Sequence, residues 1–288
     1  MVIAVTGGSG KLGRAVVADL LAHDEEVLVL DLQAPRDREV PFTRVDLTDF
    51  GQTLEALTRI DDRHDGLDAV VHLAAIPGPG MVPDAAIFAN NLTGTYNVFS
   101  AARHARIRNV VWASSETVLG LPFDTPPPYL PVDEEVPLRP ATSYSLGKDL
   151  EEEMARQFCR WDPQLKMIGL RFSNVMEPGD YAAFPRFDAD PDVRRWNLWS
   201  YIDARDGAQA VRLALRHAAT GMDVFVIANA DTVMTTPTAE LVASRFPGVP
   251  VRTELSGNET LLSIDKARRV LGYDPAHSWR DEGVTAAD

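Results

Sequence analysis

Only one cysteine, Cys159, occurs among the 288 residues, so no disulfide can close within the chain and nothing calls for an oxidising compartment. Basic residues are also scarce: 28 Lys and Arg stand against 42 Asp and Glu, a formal net charge of -14. That balance repels nucleic-acid phosphates and anionic membrane surfaces, so neither is expected as a partner. Long apolar runs are missing, and the N-terminus begins with the strand-forming Val2 to Val5 where a leader would carry basic residues and an apolar core. The expected setting is therefore the cytoplasm. No metal site is expected. Core is not in short supply, since 45% of the residues are hydrophobic.

Apolar runs of strand length alternate with segments of helical period. Strands are expected at Val2 to Thr6, Val27 to Asp31, Thr43 to Val45, Ala69 to Leu73, Val110 to Ser114, Lys166 to Leu170 and Val224 to Ile227. Helices are expected from Lys11 to about Ala22, Asp84 to Arg106, Thr142 to Trp161, Arg205 to His217, Thr238 to Arg245 and Ile264 to Leu271. Such alternation predicts an α/β fold, a doubly wound parallel sheet covered on both faces. The proline-rich stretches Ile76 to Gly80 and Leu121 to Pro140 cannot be regular elements, because each proline removes a donor and restricts its predecessor. Both follow strands at the carboxyl edge, where open α/β sheets bind ligands, so they are candidate substrate walls as well as connectors. No clean linker divides the chain. The expected division is a dinucleotide-binding Rossmann domain over residues 1–170 and a small substrate lobe over 171–288, with segments returning to the first domain.

The first strand runs into TGGSGKLG, Thr6 to Gly13. Gly7 allows the tight turn, Gly10 offers no Cβ to block a ligand, and Gly13 lets helix pack on strand. The free N–H groups of the helix N-terminus then face a pyrophosphate. An acid, Asp31, ends the next strand, the position that takes the ribose hydroxyls of NAD and repels a 2′-phosphate. NAD is the expected cofactor. NADP stays possible, because Arg36 and Arg38 lie just beyond and could counter that repulsion, although they read first as surface charges.

Farther on, Ser115 follows a strand, and Tyr144 and Lys148 stand four residues apart on one helix face. A phenol is a poor base at neutral pH, but a neighbouring ammonium favours the phenolate. With the Ser115 hydroxyl orienting a substrate oxygen, this set can move a proton while a nicotinamide accepts hydride.

Nine motifs in order give the chain its resemblance to the extended short-chain dehydrogenase/reductases, the NAD-dependent epimerase/dehydratase family. They are TGGSGKLG, Asp31, Asp46-Leu47, HLAA (His72 to Ala75), NNLTGTYNV (Asn90 to Val98), SSETVLG (Ser114 to Gly120), YSLGK (Tyr144 to Lys148), RFSNVMEPG (Arg171 to Gly179) and SYIDARDGAQA (Ser200 to Ala210). The resemblance implies Tyr144 as acid/base, Lys148 as its modulator and a holder of the nicotinamide ribose, and Ser115 on the reacting oxygen. It implies cofactor contacts from Gly7, Gly10, Lys11, Leu12, Gly13, Asp31, Asp46, Leu47, Leu73, Ala74 and Ala75. Asn91 would support the active-site helix on the cofactor side.

The family's dehydratases carry an Asp-Glu pair after the catalytic hydroxyl. Here Glu116 and Thr117 stand there, which disfavours dehydration but leaves Glu116 as a candidate substrate contact. Asn174 is another. The stretch between Pro178 and Tyr201 is short for a nucleoside diphosphate site, which points to a smaller ligand. Arg194, a few residues before Trp199-Ser200, resembles the carboxylate-binding arginine of the uronate dehydrogenases, and a guanidinium fork suits a carboxylate. Glu116 argues against a uronate, since it would repel one.

The expected function is thus NAD-dependent oxidation of a hydroxyl on a small sugar, sugar acid or similar compound. A sugar-nucleotide 4-epimerase with tightly bound NAD is the alternative, and a non-catalytic dinucleotide sensor a third. The resemblance further implies a homodimer formed through the two long helices.

Overall fold

The computed structural model describes residues 1–37, 39–58, 64 and 66–282. Among these, β1 (Val2–Thr6), β2 (Glu26–Asp31), β3 (Phe42–Arg44), β4 (Ala69–His72), β5 (Asn109–Ser115) and β6 (Lys166–Phe172) precede a small pair, β7 (Val175–Met176) and β8 (Ile202–Asp203), and then β9 (Gly221–Ile227). All but the small pair join one sheet in the order β3-β2-β1-β4-β5-β6-β9. Every neighbouring pair in it is parallel. The order reverses direction between β1 and β4, which opens a crevice at their carboxyl ends.

Strand residues point alternately into two cores. Ile3, Val5, Val111 and Ile168 pack with α1 (Lys11–Ala22) and, later in the chain, the helix Ala204–Arg216. Ala4, Val70, Trp112 and Met167 pack with α2 (Phe50–Leu57), α3 (Asp84–His104) and α4 (Ser143–Trp161). Burial on both faces explains why these strands read as continuous apolar runs.

The helix bounds have local causes. Thr142 and Ser145 cap α4 reciprocally. The segment expected to run to Arg106 ends as α3 at His104, because Arg106 turns left-handed at φ +60. Helix α2 was not anticipated; its start is set by Asp49, whose carboxylate accepts from the Gln52 amide at 3.0 Å. Short helical pieces at Pro178–Ala183, α5 (Pro185–Ala189) and α6 (Asp192–Arg195) fill most of the short stretch between Pro178 and Tyr201. They are followed by α7 (Ala204–Arg216), α8 (Thr238–Arg245) and α9 (Asp265–Leu271).

A boundary after residue 170 falls inside β6. Beyond it, β9 pairs with β6 and α7 packs on α1, so residues past 170 also belong to the sheet and its helical cover. The proline-rich stretch after β5 is pinned to the C-terminal part of the chain: Leu130 bridges Val251 and Val132 bridges Leu262 in parallel fashion. Leu121, Phe123, Leu130 and Val132 are buried there, so the stretch is core as well as connector.

Candidate active site

One cavity of about 1020 Å³ runs along the carboxyl edge of the sheet. At one end it is lined by Asp31, Asp46 and Leu47, in the middle by Gly7, Gly10, Lys11, Leu12 and Gly13 with Leu73, Ala74 and Ala75 opposite, and at the far end by Ser115, Glu116, Tyr144, Lys148 and Asn174. The volume lies at the upper end of what encloses a drug-sized ligand.

The glycine turn is as tight as its sequence demands. Gly7 has φ +69, and a Cβ on it would stand 2.6 Å from the Ala74 nitrogen; one on Gly13 would stand 2.1 Å from the Gly7 carbonyl oxygen. A Cβ on Gly10 would meet only that oxygen, at 3.3 Å, so Gly10 keeps the cavity side open. As N-cap of α1, Gly10 supplies no side-chain acceptor, and the first turn of α1 carries no acid. The helix N-terminus thus presents N–H groups and a partial positive charge to the cavity, as a pyrophosphate requires. Asp31 accepts from the Ser9 and Gln33 amides at 3.1 and 3.2 Å, which fixes its carboxylate at the cavity wall. Asp46 is held by Thr48, and the Leu47 carbonyl by the Asn97 amide. These residues fit a dinucleotide. Arg36 is exposed, and Arg38 lies outside the described residues.

Asn91 works one layer back: its side-chain amide exchanges hydrogen bonds with the Ile76 backbone N–H (2.8 Å) and carbonyl (2.9 Å), clamping the Ile76 to Gly80 loop. His72 is buried between Thr6 Oγ1 (2.7 Å) and Thr95 Oγ1 (3.0 Å), and burial with the nearby Lys148 charge pushes its pKa down to about 3. It is a neutral strut between β1, β4 and α3.

Lys148 Nζ donates to the Ala113 carbonyl at 2.8 Å and to Glu151 at 2.9 Å, and lies 6.0 Å from the centroid of the Tyr144 ring. Burial works against the ammonium, but Glu151 and the phenol beside it more than offset this and raise its pKa. For Tyr144, burial raises the pKa above the ordinary phenol value; Lys148 and a hydrogen bond with Ser115 oppose this, while Glu151 and Glu116 add to it. The expected acidified phenol is thus not met, because desolvation outweighs the single ammonium. Ser115 Oγ accepts from the Thr117 amide (3.2 Å) and hydroxyl (3.0 Å), which leaves its own proton free to point at a ligand or Tyr144. Behind them, Glu152 takes the Arg171 guanidinium through Nε (2.9 Å) and Nη2 (2.7 Å) and the Ser114 hydroxyl at 2.6 Å, locking α4 to β5 and β6.

At the substrate end, Arg194 is buried and its fork is already engaged: Nη1 donates to Asn174 Oδ1 and Nη2 to the Ser200 carbonyl, both at 2.8 Å. It therefore holds Asn174 from behind. Trp196 lines the cavity, whereas Trp199 is fully buried, donating to the Pro191 carbonyl at 2.7 Å and packing on Phe246. Sequence reasoning missed Ser173, which lines the cavity, and Asn197, whose amide approaches Glu116 at 3.4 Å. Neither has a spacing signal, since the fold alone brings them to Glu116.

Over its whole length the chain is similar to an L-arabinose 1-dehydrogenase (NAD(P)(+)) of Haloferax volcanii, at 27% identity across 99% of both chains. A UDP-glucose 4-epimerase of Lactobacillus helveticus matches at 26% identity across 100% of this chain and 96% of that one. Among solved structures, the Thermus thermophilus UDP-glucose 4-epimerase in complex with NAD superposes with a TM-score of 0.71 at 26% identity, covering 99% of this chain and 97% of that one. The glycine turn, the Ser115, Tyr144 and Lys148 set and the sheet that carries both fall within residues 3–228, the span that matches the profile of the NAD dependent epimerase/dehydratase family, and the chain belongs to that family.

Proposed function

We propose that the protein is a dehydrogenase that uses NAD to oxidise a hydroxyl of a small sugar or sugar-like compound. The observation that carries this reading is the convergence of the Ser115, Tyr144 and Lys148 side chains on the same cavity as the glycine turn. The full-length likeness to an arabinose dehydrogenase supports a small free sugar as substrate.

Asp31 would hold the adenosine ribose hydroxyls, the amides of the glycine turn the pyrophosphate, Asp46 and Leu47 the adenine surround, and Lys148 the nicotinamide ribose. When bound, NAD supplies the hydride acceptor. Ser115 donates to the substrate oxygen and fixes its position. Tyr144 exchanges a proton with that oxygen, in oxidation as base and in reduction as acid. Lys148 stabilises the phenolate form by charge, and the Ala113 carbonyl and Glu151 keep its ammonium in place. The burial of Tyr144 excludes water from the proton path.

A panel of neutral sugars and sugar acids with NAD or NADP, followed by absorbance of the reduced cofactor, should show turnover that Tyr144→Phe lowers by about 10²-fold or more while NAD affinity is kept. Unchanged turnover in that variant rejects the mechanism. The epimerase of matching length favours a second reading, sugar-nucleotide 4-epimerisation. Calorimetry with UDP-glucose decides it, since absence of binding removes the option. In both readings the protein works in the cytoplasm as a homodimer paired through α3 and α4, whose outer faces expose Tyr96, Leu146 and Leu150.

A further inference from the structure

Buried polar atoms without partners gather at one end of the cavity. Glu116 is 2% exposed, yet its Oε2 has no hydrogen bond, and Oε1 has only the long contact from Asn197 Nδ2 at 3.4 Å. Beside it, Asn197 Oδ1 and Arg194 Nε are buried and unpartnered too, while the Ser173 hydroxyl and the Asn174 backbone amide lie on the side of the Glu116 carboxylate and favour its charged form. A folded chain pays for such atoms unless something else completes them. Of these residues, Glu116 and Ser173 line the cavity directly, next to the Ser115 hydroxyl and Asn174.

The missing partner must donate to the carboxylate of Glu116. A sugar hydroxyl can. A carboxylate can only accept, and would put a second negative charge against Glu116 in a site screened from water. The cations at this end are already engaged: both terminal nitrogens of Arg194 serve Asn174 and the Ser200 carbonyl, and Lys148 serves the Ala113 carbonyl and Glu151.

We infer that Glu116 is the specificity-determining residue of the substrate end: it accepts a hydrogen bond from a substrate hydroxyl, so that the enzyme takes neutral polyhydroxy compounds and turns away the corresponding sugar acids. This rests on the dehydrogenase reading for the identity of the site, and it assigns the substrate class within it. Burial pushes the pKa of Glu116 up to about 7, against the pull of Ser173, Arg194, Asn197 and the Asn174 backbone amide.

The test compares D-galactose and L-arabinose with D-galacturonate, using wild type, Glu116→Gln and Glu116→Ala. Two readouts are needed: kcat/KM with NAD, and binding of each sugar to the NAD-loaded protein by saturation-transfer NMR. Wild type should favour the neutral sugars in both. Glu116→Ala should lose at least about 10-fold in kcat/KM on them with NAD affinity unchanged, the loss expected for one hydrogen bond to a charged group. Glu116→Gln keeps the shape and one acceptor but not the charge, and should cut the neutral-over-acid preference at least about 10-fold. Wild type that prefers galacturonate, or a preference unmoved in Glu116→Gln, overturns the inference while leaving the dehydrogenase intact. Preference for neutral sugars in binding with no hydride transfer to any of them overturns the dehydrogenase reading and keeps the inference. Failure to bind any of the three overturns both.

Discussion

At the scale of single residues, chemistry follows from who is buried beside whom. Tyr144, Lys148, Ser115 and Asp31 were legible in the sequence because each sits at a fixed offset from a strand end or a helix start, and those offsets survive folding. What was not legible is their surroundings. The Tyr144 phenol ends up above its ordinary pKa since burial removes water from it, and no spacing encodes that. Glu116 is the clearer case, because its neighbours Ser173, Arg194 and Asn197 come from other parts of the chain. Its ordinary pKa of 4.5 rises to about 7 in the fold. Between those values the folded protein holds more protons than the unfolded chain, so folding stability falls as pH rises through the window, by about 3 kcal/mol in all. Glu116→Gln has no such proton to lose. Its melting temperature relative to wild type should therefore climb from pH 5 to pH 8; a difference independent of pH would mean that burial does not raise the Glu116 carboxyl.

At the scale of elements, the sheet and the long helices could be read from period and punctuation. The short helix α2 could not, for it buries only Thr53, Ala56 and Leu57 and offers too brief a pattern. The proline-rich stretch after β5 hid its role for another reason: its buried residues answer to partners near Val251 and Leu262, far along the chain. The first βα turn, by contrast, was fully written in its glycines, and they are not equivalent. Gly13→Ala drives a methyl into the Gly7 carbonyl at 2.1 Å, whereas Gly10→Ala meets it only at 3.3 Å. The first substitution should weaken NAD binding by more than about 10-fold and lower the melting temperature, because helix and strand must part. The second should leave folding intact and act on binding alone. Tryptophan-fluorescence titration with NAD and thermal melts of both variants separate the two outcomes. Equal melting temperatures would show that the turn tolerates the strain.

At the scale of the whole molecule, α3 and α4 pack against each other and turn a mixed face outward. Tyr96 is 49% exposed, Leu146 43% and Leu150 37%, apolar side chains on the outward faces of the two helices. If two copies meet there, Leu150→Arg should convert a dimer into a monomer in light scattering at micromolar concentration, with little change in the chemical step, since Leu150 points away from the cavity. A wild-type monomer at that concentration would remove the pairing.

The glycine turn is also tied to the opposite rim of the crevice. Lys11 reaches Asp180 at 2.6 Å and Arg14 reaches Glu177 at 2.8 Å, all four side chains between 31% and 38% exposed. Ion pairs this wet are weak and are screened by salt. They make a latch that opens readily and not a permanent seal, which suits a carrier that must leave after every cycle. Where departure of the reduced dinucleotide limits turnover, moderate salt should speed the enzyme, and stopped-flow measurement of that departure against ionic strength would expose a sealed door if the rate stayed flat.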